Sequence, residues 1–298
     1  MIDPRLQALR VLREQGTVTA TAEILHLTPS TVSQQLRLLA RDLGVTLLEA
    51  QGRRVRLTPA AYTVLDHADV LFAQWERAQA DIAAHQDGAA GRLRLGSVSS
   101  ALAAIVTPAA VLLGREHPRL DVRMSETESE DAFPLLLAGR LDIAVLIPTA
   151  DGPPPDDPRF EQHPLLDEPQ DLLVPPGHPL AERPRPVLAD AAREPWIGSP
   201  DRGDQHHLML TACAAAGFTP RIAHHANEWF AVAALVAAGF GIGLVPRLAP
   251  LPPEHQVLRV PLRGEPVPSR RIITCVRRGG DRRPAIANGL DALRRSVP

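Results

Sequence analysis

Between Leu6 and Leu57 the apolar residues change their spacing, and the changes mark out elements. Leu6, Leu9 and Leu12 fall on one face of a helix that stops before Gly16. A second, short helix is predicted over 20–25. Thr28 and Pro29 then give the cap and first-turn signature of a third helix, which runs to Leu43 with Gly44 as its left-handed terminator. Val32, Leu36, Leu39 and Leu43 share its inner face, whereas Ser30, Thr31, Ser33, Gln34, Arg37 and Arg41 fall largely outside it. Beyond Gly44 the period drops to two. Residues 45–49 and 55–57 read as strands around a turn, with Val55 and Leu57 pointing one way and Arg54 and Arg56 the other.

Thr58 and Pro59 repeat the cap-and-proline signal and open a long helix. In it Ala61, Val64, Ala68, Leu71, Trp75, Ala78 and Ile82 are spaced alternately three and four apart, the pattern of a coiled-coil seam. Gly88 and Gly91 separate this helix from the C-terminal two thirds of the chain, which leaves it little of its own chain to pack on. Dimerisation through Val64, Ala68, Leu71, Trp75, Ala78 and Ile82 is the expectation; an amphipathic helix packed on its own domain is the alternative.

After Gly91 strand and helix patterns alternate. Strands are predicted at 93–98, 122–125, 142–146, 165–175, 221–225, 241–245 and 272–276. Helices are predicted after a cap at Ser99 and Ser100, with a break at Pro108, and at 133–138, 208–216, 229–238 and 285–295. Such alternation gives an α/β class, a parallel sheet with helices on both faces.

Composition narrows the chemistry. The 298 residues are 45% apolar and 22% charged, with a formal charge of −2, all ordinary for a globular chain of about two domains. All 32 basic residues are arginine. Without lysine, Schiff-base and pyridoxal enzymes, P-loop NTPases, protein kinases and serine-x-x-lysine hydrolases are excluded. Cys213 and Cys275 form neither a disulfide framework nor a zinc cluster, and a reducing cytoplasm is the simpler setting. Charges near the N-terminus leave no room for a secretory leader. The uncharged run 229–246 is interrupted by Gly239, Gly241 and Gly243, and reads as a buried helix, turn and strand rather than a membrane span. Residues 1–58 carry eight arginines against five acids, whereas 59–90 carry one against five.

That local positive balance, with three helices and a basic-tipped hairpin, makes a winged helix-turn-helix. Its third helix suits a DNA major groove: Gln34 for an adenine edge, Arg37 for phosphate or guanine, Thr31 for a thymine methyl, with Thr28, Ser30 and Ser33 beside them. Arg53 and Arg54 at the hairpin turn suit a minor groove or its phosphates. A solvated helix face and a plain surface hairpin are the bland alternative. Other chemistry finds no support. Residues 239–243 have the wrong spacing for a dinucleotide loop, and residues 96–100 lack the closing glycine of a nucleophile elbow. The His206-His207 and His224-His225 pairs read as surface histidines, and Cys213 as a small core residue. No catalytic constellation, metal or cofactor is expected.

Leu27-Thr28-Pro29-Ser30-Thr31-Val32-Ser33-Gln34-Gln35-Leu36 and Gly52-Arg53-Arg54-Val55-Arg56-Leu57-Thr58-Pro59 resemble the DNA-binding segment of LysR-type transcriptional regulators. Val174-Pro175-Pro176-Gly177-His178-Pro179-Leu180 and Ala238-Gly239-Phe240-Gly241-Ile242-Gly243 are similar to later segments of that family, in the right order. The resemblance implies a DNA-binding head over 1–58, a dimerising linker helix and hinge over 59–90, and an effector domain over 91–298 shaped like a two-lobed periplasmic binding protein. One lobe is then 91–165 with 267–298, the other 166–266. It also implies a homodimer, with a tetramer built from two. Ala50 stands where the family usually has arginine, which removes one phosphate contact and bears on affinity more than on docking.

A small effector is expected at the carboxyl ends of the strands. Ser97, Ser99 and Ser100 there favour an anionic group, with plain helix capping as the alternative. The resemblance brings Ser199, Arg202, Asn227 and Trp229 as the opposite wall, Arg202 clamping a carboxylate unless it is a solvated loop charge. A solute-binding protein without a DNA-binding role is the rival reading, and it accounts for residues 91–298 alone.

Overall fold

The computed structural model describes residues 2–51, 54–85, 91–149, 152–200, 204–264 and 267–298. The chain forms two compact units, one of residues 1–146, 150–163 and 273–298, the other of 147–149 and 164–272.

The first unit begins with α1 (Pro4–Gln15), α2 (Val18–Leu25) and α3 (Pro29–Leu43). Each start is capped: Asp3, Thr17 and Thr28 accept from the backbone N–H of Arg5, Ala20 and Thr31. Gly16 and Gly44 close α1 and α3 at φ 65° and 66°, where a side chain would be strained. Strands β1 (Leu48–Gln51) and β2 (Arg54–Leu57) pair antiparallel, Leu48 opposite Leu57. Ala8, Leu9, Leu12, Val32, Leu36, Leu39 and Leu47 form the core of this head. Leu43, expected inside, is 47% exposed in the last turn of α3, just ahead of the terminating Gly44.

Helix α4 (Pro59–Ala84) follows, capped by Thr58. Then come β3 (Gly91–Ser97), α5 (Ser99–Ala101), a π turn (Leu102–Val106), α6 (Thr107–Glu116), β4 (Leu120–Glu126), α7 (Ser129–Leu137) and β5 (Ile143–Leu146). Strand β6 (Phe160–Val174) contributes its first residues here and the rest to the second unit. That unit adds α8 (Pro179–Glu182), a 3-10 turn (Leu188–Ala191), β7 (Pro195–Gly198), α9 (Asp204–Ala215), β8 (Arg221–His225), α10 (Trp229–Ala237), β9 (Gly243–Pro246) and β10 (Leu258–Pro261). Strand β11 (Ser269–Arg277) and α11 (Pro284–Arg295) return the chain to the first unit.

The sheets are mixed rather than parallel throughout. β3 runs parallel to both β4 and β5, but β11 runs antiparallel to β5 because it returns from the other unit without a crossover helix. In the second unit β6 pairs antiparallel with β9 and β10, while β7 and β8 are parallel. Gly289 lets α11 lie close on this first sheet: a Cβ there would stand 2.7 Å from Ile143 Cδ1. The predicted break at Pro108 is instead a π turn leading into α6, with proline in its first turn where no N–H is needed. Ser99 and Ser100 do not cap α5; Val98 holds the N-cap position and no side chain bonds there.

Helix α4 has more of its own chain to pack on than the spacing suggested. Leu65, Ala68, Asp69, Glu76 and Ala80 are buried within its unit. Ala61 and Ala68, placed in the seam from sequence, therefore face inward, Ala61 within the head core. Leu71 and Ile82 are 54% and 55% exposed, and Val64, Trp75 and Ala78 are half-buried. No described helix is long and apolar enough to cross a membrane.

Candidate nucleic-acid interface and effector pocket

Helix α3 begins with a cluster of hydroxyls. Thr28 Oγ1 lies 2.8 Å from both Ser30 Oγ and Thr31 Oγ1, and accepts from the Thr31 N–H at 3.1 Å. One turn on, Gln34 and Arg37 are exposed and Ser33 is half-buried. The neighbouring cations are engaged. Arg41 and Arg5 pair with Asp42, and Arg56 pairs with Glu49 across the β1–β2 hairpin at 2.6 Å. Arg37 has no ion pair or hydrogen bond among the described residues. It edges an open groove of about 680 Å³ between α3 and the hairpin, lined also by Ser33, Leu36, Arg41, Leu48 and Val55. Arg53 lies outside the described residues; Arg54 opens β2.

The effector candidates fall in two places. Ser97 and Ser100 are buried at the end of β3 and in α5, in the first unit; Ser97 Oγ donates to the Val98 carbonyl at 3.1 Å, and Ser99 is half-buried between them. Ser199, Asn227 and Trp229 belong to the second unit, where they line one small cavity with Ile197, Gly198, Gln205, Met209, Val232 and Leu244. Arg202 lies outside the described residues.

The cavity forms where β7 and β8 end side by side, Gly198 opposite His225. A Cβ on Gly198 would stand 3.1 Å from Met209 Cε, so α9 packs closely there and a larger residue would make the Met209 side chain give way. Gln205 of α9 donates from Nε2 to Gln170 Oε1 and to the Leu244 carbonyl, both at 2.9 Å. Its own Oε1 and the buried Ser199 Oγ have no partner among the described residues. The space measures about 10 Å³, room for a water-sized group as it stands. Two unengaged polar atoms beside apolar Met209, Val232 and Trp229 can receive a ligand that both donates and accepts. Gln205, Met209 and strand β7 itself were missed in the sequence: a four-residue strand between Pro195 and Gly198 carries no alternation to read.

Both thiols are buried, Cys213 in the core of the second unit with Trp196 and Met209, and Cys275 in that of the first with Phe133 and Phe160. Burial pushes the Cys213 thiol up to about 12 and raises Cys275 as well. No group of three or more metal-ligating side chains occurs among the described residues.

Residues 4–62 match the bacterial regulatory helix-turn-helix protein, lysR family, and residues 86–298 match the LysR substrate binding domain. A hydrogen peroxide-inducible genes activator of Pectobacterium carotovorum subsp. carotovorum is 27% identical over 292 residues, 97% of this chain and 94% of that protein. Full-length OxyR from Pseudomonas aeruginosa, with a cysteine changed to aspartate, superposes with a TM-score of 0.65 at 22% identity, covering 99% of this chain and 98% of that one. Full-length CbnR in complex with its target DNA gives 0.58 at 22% identity, covering 99% of both.

Proposed function

The chain belongs to the LysR family of DNA-binding transcriptional regulators that carry an effector-binding domain, and from that premise we propose how its residues divide the work. A solute-binding protein without a DNA-binding role is not favoured, and the chain is not an enzyme. Helix α3 reads the operator. Gln34 contacts a base edge, Arg37 a phosphate or guanine, and the hydroxyls of Thr28, Ser30, Thr31 and Ser33 surround them, with Arg53 and Arg54 on the wing. The observation that carries this is the exposed, unpaired Arg37 beside Gln34, in a head whose other described outward-facing cations are engaged. A regulator of this kind acts in the cytoplasm, as a dimer through the exposed side of α4, with a tetramer of two dimers the family expectation.

The effector binds in the second unit at the carboxyl ends of β7 and β8, using the cavity with Ser199, Gln205, Asn227 and Trp229. It is a small molecule with a hydrogen-bonding group and an apolar body; a carboxylate depends on Arg202. Peroxide chemistry at a cysteine is not part of this proposal. Such chemistry needs an accessible thiolate, and both thiols here are buried with raised pKa.

The test is gel retardation with DNA fragments from upstream of the chain's own gene, titrated across salt. Gln34→Ala is expected to cost about 1–3 kcal/mol and to relax selectivity at one base pair. Arg37→Ala is expected to weaken all sequences and lower the salt slope by about 1 where Arg37 meets a phosphate, and to relax selectivity at a second base pair where it meets guanine. Unchanged affinity and slope in both variants refute the assignment.

A further inference from the structure

Helix α1 is apolar on two faces, and only one of them serves the head. Ala8, Leu9 and Leu12 close the head core with Val32, Leu36 and Leu39. Val11, fully buried, belongs instead to a cluster with Ala132, Phe133, Leu136, Leu137 and Phe160 of the α/β layer, against which Ile24 and Leu25 of α2 also pack. Polar contacts ring this patch. Gln7 Nε2 donates to the Leu137 carbonyl at 3.1 Å, and Arg140 Nη1 to the Ile24 carbonyl at 3.3 Å. Arg159 bridges Glu14 of α1 and Asp157.

The linker helix is tied to the same layer from the other side. Arg277, at the end of β11 and buried, donates from Nε to Glu76 of α4 and from Nη1 to the carbonyls of Leu136 and Leu141. Its Nη2 donates to Asp142 Oδ1 at 3.2 Å, and Asp142 in turn accepts from Arg94 of β3. Just beyond, Gly279 (φ +79) lies so close on α4 that a Cβ would stand 2.9 Å from the Ala73 carbonyl oxygen. One guanidinium thus engages the linker helix, the end of α7 and a carboxylate joined to β3, the strand that ends at Ser97.

We propose that α7 and the loop after it form a docking seat for the chain's own DNA-binding head, and that Arg277 locks the linker helix to this seat, so that head, linker helix and first α/β layer move as one body. A head tethered only through the hinge has no reason to keep Val11 apolar and buried outside its own core, or to aim Gln7 at a carbonyl 130 residues away. The seat joins the apolar cluster around Val11 to the hydrogen bonds of Gln7 and Arg140 and to the Arg159–Glu14 pair, so the head is oriented as well as held. Change in the effector domain then reaches α3 as a reorientation of its carrier, with no refolding of the head.

The experiment is hydrogen–deuterium exchange on the full-length chain without ligand. Gln7→Ala with Arg140→Ala removes two seat hydrogen bonds and touches no core residue. It is expected to speed exchange about fivefold in peptides spanning 20–27 and 133–141, while 32–39 stays as protected as in wild type. Glu76→Gln keeps an acceptor but drops the charge, and is expected to speed exchange in 70–84 and to leave 93–97 alone. Unchanged protection of 20–27 and 133–141 in the double variant overturns the seat, and unchanged protection of 70–84 in Glu76→Gln overturns the lock. Uniform loss across 32–39 in the double variant also overturns the proposal, because the contacts would then belong to the fold of the head itself.

Discussion

Arg10 Nε donates to Asp69 Oδ1 at 2.6 Å, with the two side chains 3% and 8% exposed, and this pair joins α1 to the linker helix. The other Asp69 oxygen accepts from Arg13 Nη2 at 2.9 Å, and the Arg10 guanidinium lies 4.1 Å from the centre of the Phe72 ring. Burial pulls the Arg10 pKa below its ordinary value against the opposing charge of Asp69. Removing one member therefore strands the other. Asp69→Ala is expected to cost about 3–5 kcal/mol, read as a lower urea midpoint at unchanged slope. Arg10→Met with Asp69→Leu removes both charges and is expected to lose much less. A single variant as stable as wild type shows that something else holds the helices.

Acid weakens the first unit through two carboxylates. Burial alone raises the pKa of Asp142, but hydrogen bonds from Arg94 and the nearby Arg277 charge outweigh it and hold the group below its usual range. Asp157 is held low in the same way, burial being outweighed by Arg159. A depressed carboxyl contributes stability above its unfolded value of about 3.9, and that contribution is lost as pH falls through the lower folded value. The melting temperature is thus expected to owe no slope to these groups between about pH 5 and 8, and to drop below about pH 4. Asp142→Asn is expected to melt lower at neutral pH with a shallower acid limb. An acid limb as steep as in wild type assigns the loss to other groups.

What the sequence disclosed was local chemistry. Thr28, Pro29 and Gly44 bound α3 by backbone rules that need no distant partner, and Thr58 with Pro59 does the same for α4. Faces were harder. The three-four spacing through Ala61, Val64, Ala68 and Leu71 overlaps a second run through Ala61, Leu65, Ala68 and Phe72, and only packing shows that the inward one is the latter. Val11 beside Leu12 gave no hint that its face meets α7, because periodicity marks an apolar position without naming its neighbour. Trp196 and Gln205 are defined by contacts with Ala191 and Gln170, and such pairings leave no local trace.

The exposed side of α4 is where a second copy is expected to pack. Leu71→Asp with Ile82→Asp places charge on its most exposed seam positions, and the molar mass by light scattering is expected to fall with the stability of the single chain nearly unchanged. Ala68→Leu tests the inward face. It overfills a packed position, and is expected to cost about 1–3 kcal/mol without changing the mass. A mass that survives both aspartates places the dimer contact elsewhere.

Ser199 decides whether the β7–β8 cavity is held open for a ligand or merely packed. Its buried Oγ has no partner among the described residues, and an unengaged buried hydroxyl costs about 1–3 kcal/mol. Alanine keeps the Cβ and removes the hydroxyl, so Ser199→Ala is expected to unfold at equal or higher urea than wild type. Gln205→Ala is the contrast, because Nε2 of Gln205 holds Gln170 and the Leu244 carbonyl. It is expected to lose about 1–3 kcal/mol. A group that costs stability in the free protein and engages nothing within it persists where function requires it, as binding residues often do. Ser199→Ala is accordingly expected to lose the effector-dependent change in operator binding while keeping the operator affinity of the free protein. A Ser199→Ala protein destabilised by as much as Gln205→Ala shows that the hydroxyl already has a structural partner, and the cavity then loses its claim to a ligand.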